Sequence, residues 1–154
     1  MTNRLETLEH WAAGLLGQLE PSSRNKLARS VGLALRRSQQ KRIVAQRNPD
    51  GSKYAPRKQR NLRSKKGQVK RKTKMFQKLC LVRFLKVQLH TNAISAGFAG
   101  RTARIAKVHQ YGLKDRAEPR SPEVKFEQRV VLGLTDADLD LINSQVLAYF
   151  NSDS

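Results

Sequence analysis

Between Asn48 and Lys72 the chain offers only Tyr54, Ala55, Leu62 and Val69 for burial, and this shortage limits the fold more than any other feature. Ordering about 25 residues costs about 1–2 kcal/mol each in conformational entropy, which so few apolar groups do not offset. A packed core must therefore come from the two flanking arms, and the tract of about residues 48–72 is expected to project as a basic loop or to be ordered by a partner. It opens on Asn48-Pro49-Asp50-Gly51, where Pro49 fixes φ, Asp50 can bond its own backbone and Gly51 accepts positive φ. Tyr54 is the only aromatic between Gln46 and Lys74. With Pro56 it forms the natural anchor of such a loop, either on a partner or as a local lid over its own helices.

Charge is concentrated in the same region. The 154 residues carry 31 Lys plus Arg against 12 Asp plus Glu, a formal +19, and 19 of the basic residues but one carboxylate lie between Arg36 and Lys86. An acidic neighbour or a polyanion is the partner this implies. Cys80 is the only cysteine, which excludes an intrachain disulfide, and inside "KLCLVRFL" it reads as a small buried hydrophobe. Glu6, Glu9 and His10 interrupt the first apolar stretch, which argues against a signal peptide, and no apolar run reaches the ~20 residues of a membrane helix. The expectation is one soluble domain over residues 1–154, with no membrane partner.

Leu5, Leu8, Ala12, Leu15, Leu16 and Leu19 recur at helical spacing and predict a helix over roughly 3–19. Pro21-Ser22-Ser23 should end it and cap a second helix, about 22–46, with Leu27, Val31, Ala34, Leu35 and Ile43 inward. Arg36, Arg37, Gln39, Gln40, Lys41 and Arg42 should mostly face water. The two make an N-terminal helical hairpin. "KMFQKLCLVRFL" reads as a helical turn entering a strand. Alternation of Leu85, Val87 and Leu89, then of Ile94, Ala96 and Phe98, predicts a β-hairpin with one buried face. "RTARIAKVHQYG" gives a short helix with Ile105, Val108 and Tyr111 inward and Gly112 as C-cap. A loop over 113–122 and extended "VKF" and "RVVLGL" follow. Thr135 then caps a last helix whose inward stripe is Leu139, Ile142, Val146, Leu147 and Phe150. The class is α+β.

Catalytic and metal chemistry finds little support. His10, His90 and His109 lack ligand spacing, no second cysteine is present, and no phosphate-binding glycine loop or nucleophile elbow occurs. Asp136, Asp138 and Asp140 lack the glycine and distal Glu of a calcium loop, and a helix start explains them. His109, the best single candidate for chemistry, reads as a hydrogen-bonding residue at a helix C-terminus, helped by the dipole. No enzyme activity and no cofactor are expected.

"LRRSQQKRIVAQRNPDGSKYAPRK", "KMFQKL", "GFAGRTARIAKVHQYGLKDR" and "LGLTDADLDLI" resemble, in this order and over nearly the whole chain, the phage virion morphogenesis family of tail completion proteins from contractile-tailed temperate phages. The two strongest motifs are "NPDGSKYAPR" and "ARIAKVHQYG". The resemblance implies a non-enzymatic virion protein at the head-proximal end of the tail, assembled in the host cytoplasm, which finishes the tube and lets a filled head join. It also implies an α+β subunit in a homohexameric ring, touching tail tube or terminator proteins on one side and head-completion or neck proteins on the other, with nonspecific contact to passing DNA. In such a ring Tyr54, Pro56, Arg57, Lys58, Arg60 and Arg63 are the candidate assembly interface, and Ile105, His109, Gln110, Tyr111 and Gly112 a structural motif. The basic tract alone would favour a nucleic-acid-binding protein, but it lacks interleaved aromatics and any reading module.

Overall fold

The computed structural model describes residues 2–57, 74–91 and 93–152. Its elements are α1 (Thr2–Leu16), α2 (Pro21–Val44), β1 (Leu85–Leu89), β2 (Ile94–Phe98), α3 (Arg101–Tyr111), β3 (Lys114–Arg116), β4 (Glu123–Lys125) and α4 (Asp136–Ser152). The expected α+β class is observed, with β1–β2 and β3–β4 as separate antiparallel pairs.

Helix α2 is the scaffold. The β1–β2 hairpin packs on it, α4 packs along another face, and α1 leans mainly on α4. A short turn joins α1 to α2 as expected, but the two do not form a tight hairpin, because the apolar side of α1 finds α4. Helix α1 stops at Leu16, and α2 starts at Pro21 with Glu20 as a cap that makes no side-chain bond. Proline suits the first helical position, whose N–H needs no intrahelical partner, so Ser22 and Ser23 fall inside the helix.

Leu85 pairs with Phe98, Val87 with Ala96 and Leu89 with Ile94, so the alternating apolar set lies on one face, as the spacing predicts. That face meets α2 at Gly32, where a Cβ would sit 2.5 Å from Ile94 Cδ1 and 2.7 Å from Val87 Cγ1. Leu27, Ile43, Leu85 and Val131 are almost fully buried, and Ile43, Cys80, Ala106 and Val131 form a cluster joined by Phe76, Phe98 and Leu132. Cys80 is thus the buried hydrophobe expected.

The polar face assigned to α2 is overturned at two positions. Arg36 is 8 % exposed and Gln39 4 %. Arg36 donates from Nε to Leu85 O at 2.6 Å and from Nη2 to Cys80 O at 3.4 Å, while Gln39 Oε1 accepts the Gly133 N–H at 3.1 Å. Both satisfy backbone groups outside regular pairing, in the turn at Cys80, at the first residue of β1 and before α4. At the start of α4, Thr135 Oγ1 accepts the Asp138 N–H at 3.1 Å and Asp138 Oδ2 accepts the Thr135 N–H at 2.9 Å, a reciprocal cap of the expected kind. Asp138 is 1 % exposed. It also accepts from Ser38 and pairs with Arg42 at 3.7 Å, tying α4 to α2. Leu147, expected inward, is exposed instead, and the expected loop over 113–122 contains β3.

Candidate assembly site

The two strongest motifs are brought together by Phe76 and the segment 129–133. Helix α2 ends in a 6→1 and 5→2 bond pair, Arg47 N–H to Arg42 O at 3.2 Å and Gln46 N–H to Ile43 O at 2.9 Å. The residue that turns the chain is Gln46 at φ +58° rather than glycine, a conformation that costs of order 1 kcal/mol. Its side chain offsets this: Nε2 donates to Met75 O at 2.8 Å and Oε1 accepts the Met75 N–H at 2.6 Å. The turn itself is closed by Gly51 N–H to Asn48 O at 2.9 Å and by Asp50 Oδ1 accepting the Ser52 N–H at 2.9 Å, and these Ser52 bonds hold the Asp50 carboxyl below its ordinary range. Asn48 Oδ1 reaches the Val130 N–H at 2.9 Å. Pro49 packs on Gly133, where a Cβ would come within 2.6 Å of its ring.

Tyr54 is where the expectation fails. Rather than an exposed anchor it is 7 % exposed, stacked edge-on against Phe76 at 5.7 Å, with its hydroxyl donating to Val130 O at 3.2 Å. Burial pushes its pKa up to about 12. Residues 48–56 are therefore folded onto the subunit by polar bonds to distant backbone, which an inventory of apolar residues does not count.

Helix α3 supplies the other half. It ends in a second 6→1, 5→2 pair, Leu113 N–H to Val108 O at 2.9 Å and Gly112 N–H to His109 O at 3.4 Å, with Gly112 at φ +61° as expected. The helix is rotated from the expected face: Ala106, Val108 and His109 are buried, while Ile105 is 49 % and Tyr111 63 % exposed. The stripe through Ala106 and His109 wins because aromatic and polar partners wait there. His109 lies between Phe76 at 4.8 Å and Phe126 at 5.2 Å, both edge-on. Burial, reinforced by Arg129, lowers its pKa to about 4, so at neutral pH it is uncharged; it is the hydrogen-bonding residue expected, but held by Arg129 rather than by the helix dipole. Gln110 acts as a strand edge: Oε1 accepts the Val131 and Leu132 N–H groups at 2.9 and 3.0 Å, and Nε2 donates to Leu132 O at 2.8 Å.

Arg129, absent from the expected set, joins the halves. It is 3 % exposed and donates to Ala55 O at 2.8 Å, Pro56 O at 2.9 Å and His109 Nδ1 at 3.3 Å. A guanidinium only donates, so Nδ1 accepts and the proton sits on Nε2. The available signal was alternation, since Arg129 shares a face with Val131 in "RVVLG". Pro56 and Arg57 are exposed where the chain leaves this clasp. Lys58, Arg60 and Arg63 lie outside the described residues.

Nothing in this arrangement places a nucleophile beside a base. Among the described residues no cluster of His, Cys, Asp or Glu is suited to a metal ion, and no helix is long and apolar enough to cross a membrane. No solved structure matches the chain. It is 38 % identical over 148 residues, 96 % of its own length and 97 % of the relative's, to tail completion protein S of Escherichia phage P2. The family model for phage virion morphogenesis matches residues 3–151, from α1 through both clasped motifs into α4. The chain belongs to the phage virion morphogenesis family.

Proposed function

We propose that this protein completes a phage tail, acting as a structural component at the head-proximal end that finishes the tube and lets a filled head join. The observation that carries this reading is the near full-length similarity to a tail completion protein. The clasp supports it: the two strongest motifs are used to hold backbone together, which suits a rigid building block. The subunit works as a homohexameric ring in the virion neck, assembled in the host cytoplasm between tail tube or terminator proteins and head-completion or neck proteins. Pro56 and Arg57, with Lys58, Arg60 and Arg63 beyond them, contact acidic surfaces of those neighbours, while DNA in the channel is touched only nonspecifically. Tyr54 has no place in that interface.

The test is complementation. Cells infected with phage lacking this gene should accumulate filled heads and separate tails, and adding the purified protein to the lysate should yield joined particles by electron microscopy. Full joining without the protein would overturn the reading. Reversing Arg57, Lys58 and Arg60 to Glu should reduce joining. Normal joining with impaired DNA delivery would place these side chains on the channel wall instead.

A further inference from the structure

The subunit is polar across α2. On one side, residues 74–98 carry Lys74, Lys78, Arg83 and Lys86 and no carboxylate. On the other, α1 and α4 carry the exposed Glu6, Glu9, Asp136 and Asp140 against the single cation Arg4, Asp138 being buried against α2. In a chain of formal charge +19, an acidic side is unexpected. Because the packing order runs from the β1–β2 hairpin through α2 and α4 to α1, the basic and acidic surfaces point away from each other.

Each side also carries an apolar feature of opposite shape. The turn over 77–84, just before β1, presents Val82 at 72 % exposure beside Leu81 at 40 %. This knob is held rigidly. Leu79 and Cys80 at its base are buried, Arg36 binds Cys80 O and Leu85 O, and the Phe84 N–H bonds Leu81 O at 2.9 Å. Between α1 and α4 runs an open groove of about 510 Å³ lined by Leu8, Trp11, Leu139 and Leu147, with Arg4 and Asp140 also in its wall. Arg4 pairs with Asp136 at 2.9 Å and Asp140 at 2.7 Å, leaving that rim with one negative charge in excess.

We propose that copies of this chain associate head to tail, the Leu81–Val82 knob of one seated in the α1–α4 groove of the next, with Lys78, Arg83 and Lys86 meeting the acidic rim. An acidic rim repels nucleic acid, and a basic protrusion with an apolar tip matches it in shape and sign. A knob and a groove on opposite sides make a heterologous contact, the kind that propagates into rings or filaments. The contact deepens the proposed structural role and rests on it, since it supplies the surfaces through which such a subunit would self-assemble.

The experiment uses the full chain and two variants at exposed positions, Val82→Glu in the knob and Leu147→Lys in the groove, each first checked for wild-type melting; Val82→Ser replaces the first if it folds poorly. Sedimentation of the wild type should show concentration-dependent assembly that weakens as salt rises from about 0.1 to 0.5 M, where the screening length shortens. Each variant alone should associate at least tenfold more weakly. Mixing the two leaves one intact knob facing one intact groove, so the mixture should form dimers and stop there. Wild-type protein that stays monomeric to high concentration, or variants that assemble like wild type, or a mixture that gives no dimer would each overturn the proposal. Complementation of tail joining is scored separately, so a monomeric protein that still completes tails would remove this contact and leave the functional reading in place.

Discussion

The clasp around Arg129 and the α1–α4 layer hold the molecule in opposite ways. In the clasp, Arg129, Gln110, Gln46 and Asn48 direct polar side chains at backbone groups from distant parts of the chain. In the α1–α4 layer, apolar side chains line an open groove and the polar bonds are the exposed Arg4 pairs. The clasp is thus held by long-range polar bonds to backbone, whereas the α1–α4 layer is held by apolar contact along a groove that stays open. Hydrophobic residues say where burial can be had. Satisfied polar groups say where the fold is specific.

Removing the aromatic from the clasp should have the largest effect. Tyr54→Ala leaves a cavity beside Phe76 and an unpaired Val130 carbonyl, and should destabilise by about 3–5 kcal/mol. Denaturant titration measures it, and a variant with unchanged stability but impaired assembly would return Tyr54 to the interface. Arg129→Met keeps volume but strands the Ala55 and Pro56 carbonyls, for a loss of about 2–3 kcal/mol. If it instead melts like wild type, the clasp is ornamental and the comparison collapses.

Acid sharpens the contrast differently. His109 binds its proton less readily folded, near pH 4, than unfolded, at its ordinary value of 6.5. Between those values the unfolded chain holds more protons, so this histidine's contribution to stability falls as pH drops from about 6.5 to 4 and levels off below. Melting temperatures of wild type and His109→Gln across this window should differ in slope, with the variant flatter. Identical slopes would mean that His109 is not held neutral. The smallest effect belongs to the other region. Arg4→Ala removes two exposed ion pairs and should cost less than about 1 kcal/mol, an amount further reduced by salt. A loss rivalling that of Arg129→Met would show the α1–α4 layer to be as polar in its stabilisation as the clasp.

What could be read from sequence follows the same division. The extent of α1 and α2, the register of β1 with β2, the Thr135 cap and Gly112 at the end of α3 were legible because spacing and capping are local. Arg36 and Gln39 were misread as solvent-facing because their partners lie 49 and 94 residues away, beyond any periodic signal. The face of α3 was misjudged by one residue because a leucine-like count favours Ile105, whereas the interior is completed by His109 between two phenylalanines. Tyr54 was given to a partner because its own partner, Val130, is 76 residues downstream.

Gln46 grips Met75 on one flank, and Arg129 grips Ala55 and Pro56 on the other, with the Tyr54 and Phe76 rings 5.7 Å apart between them. The fold therefore fixes both the point where the chain leaves at Pro56 and the point where it returns at Met75, a narrow gateway locked by side chains on either flank. A neighbour that engages Pro56 or Arg57 would thus meet a chain exit whose position the core has already set, so contact there would require no further ordering of these flanks.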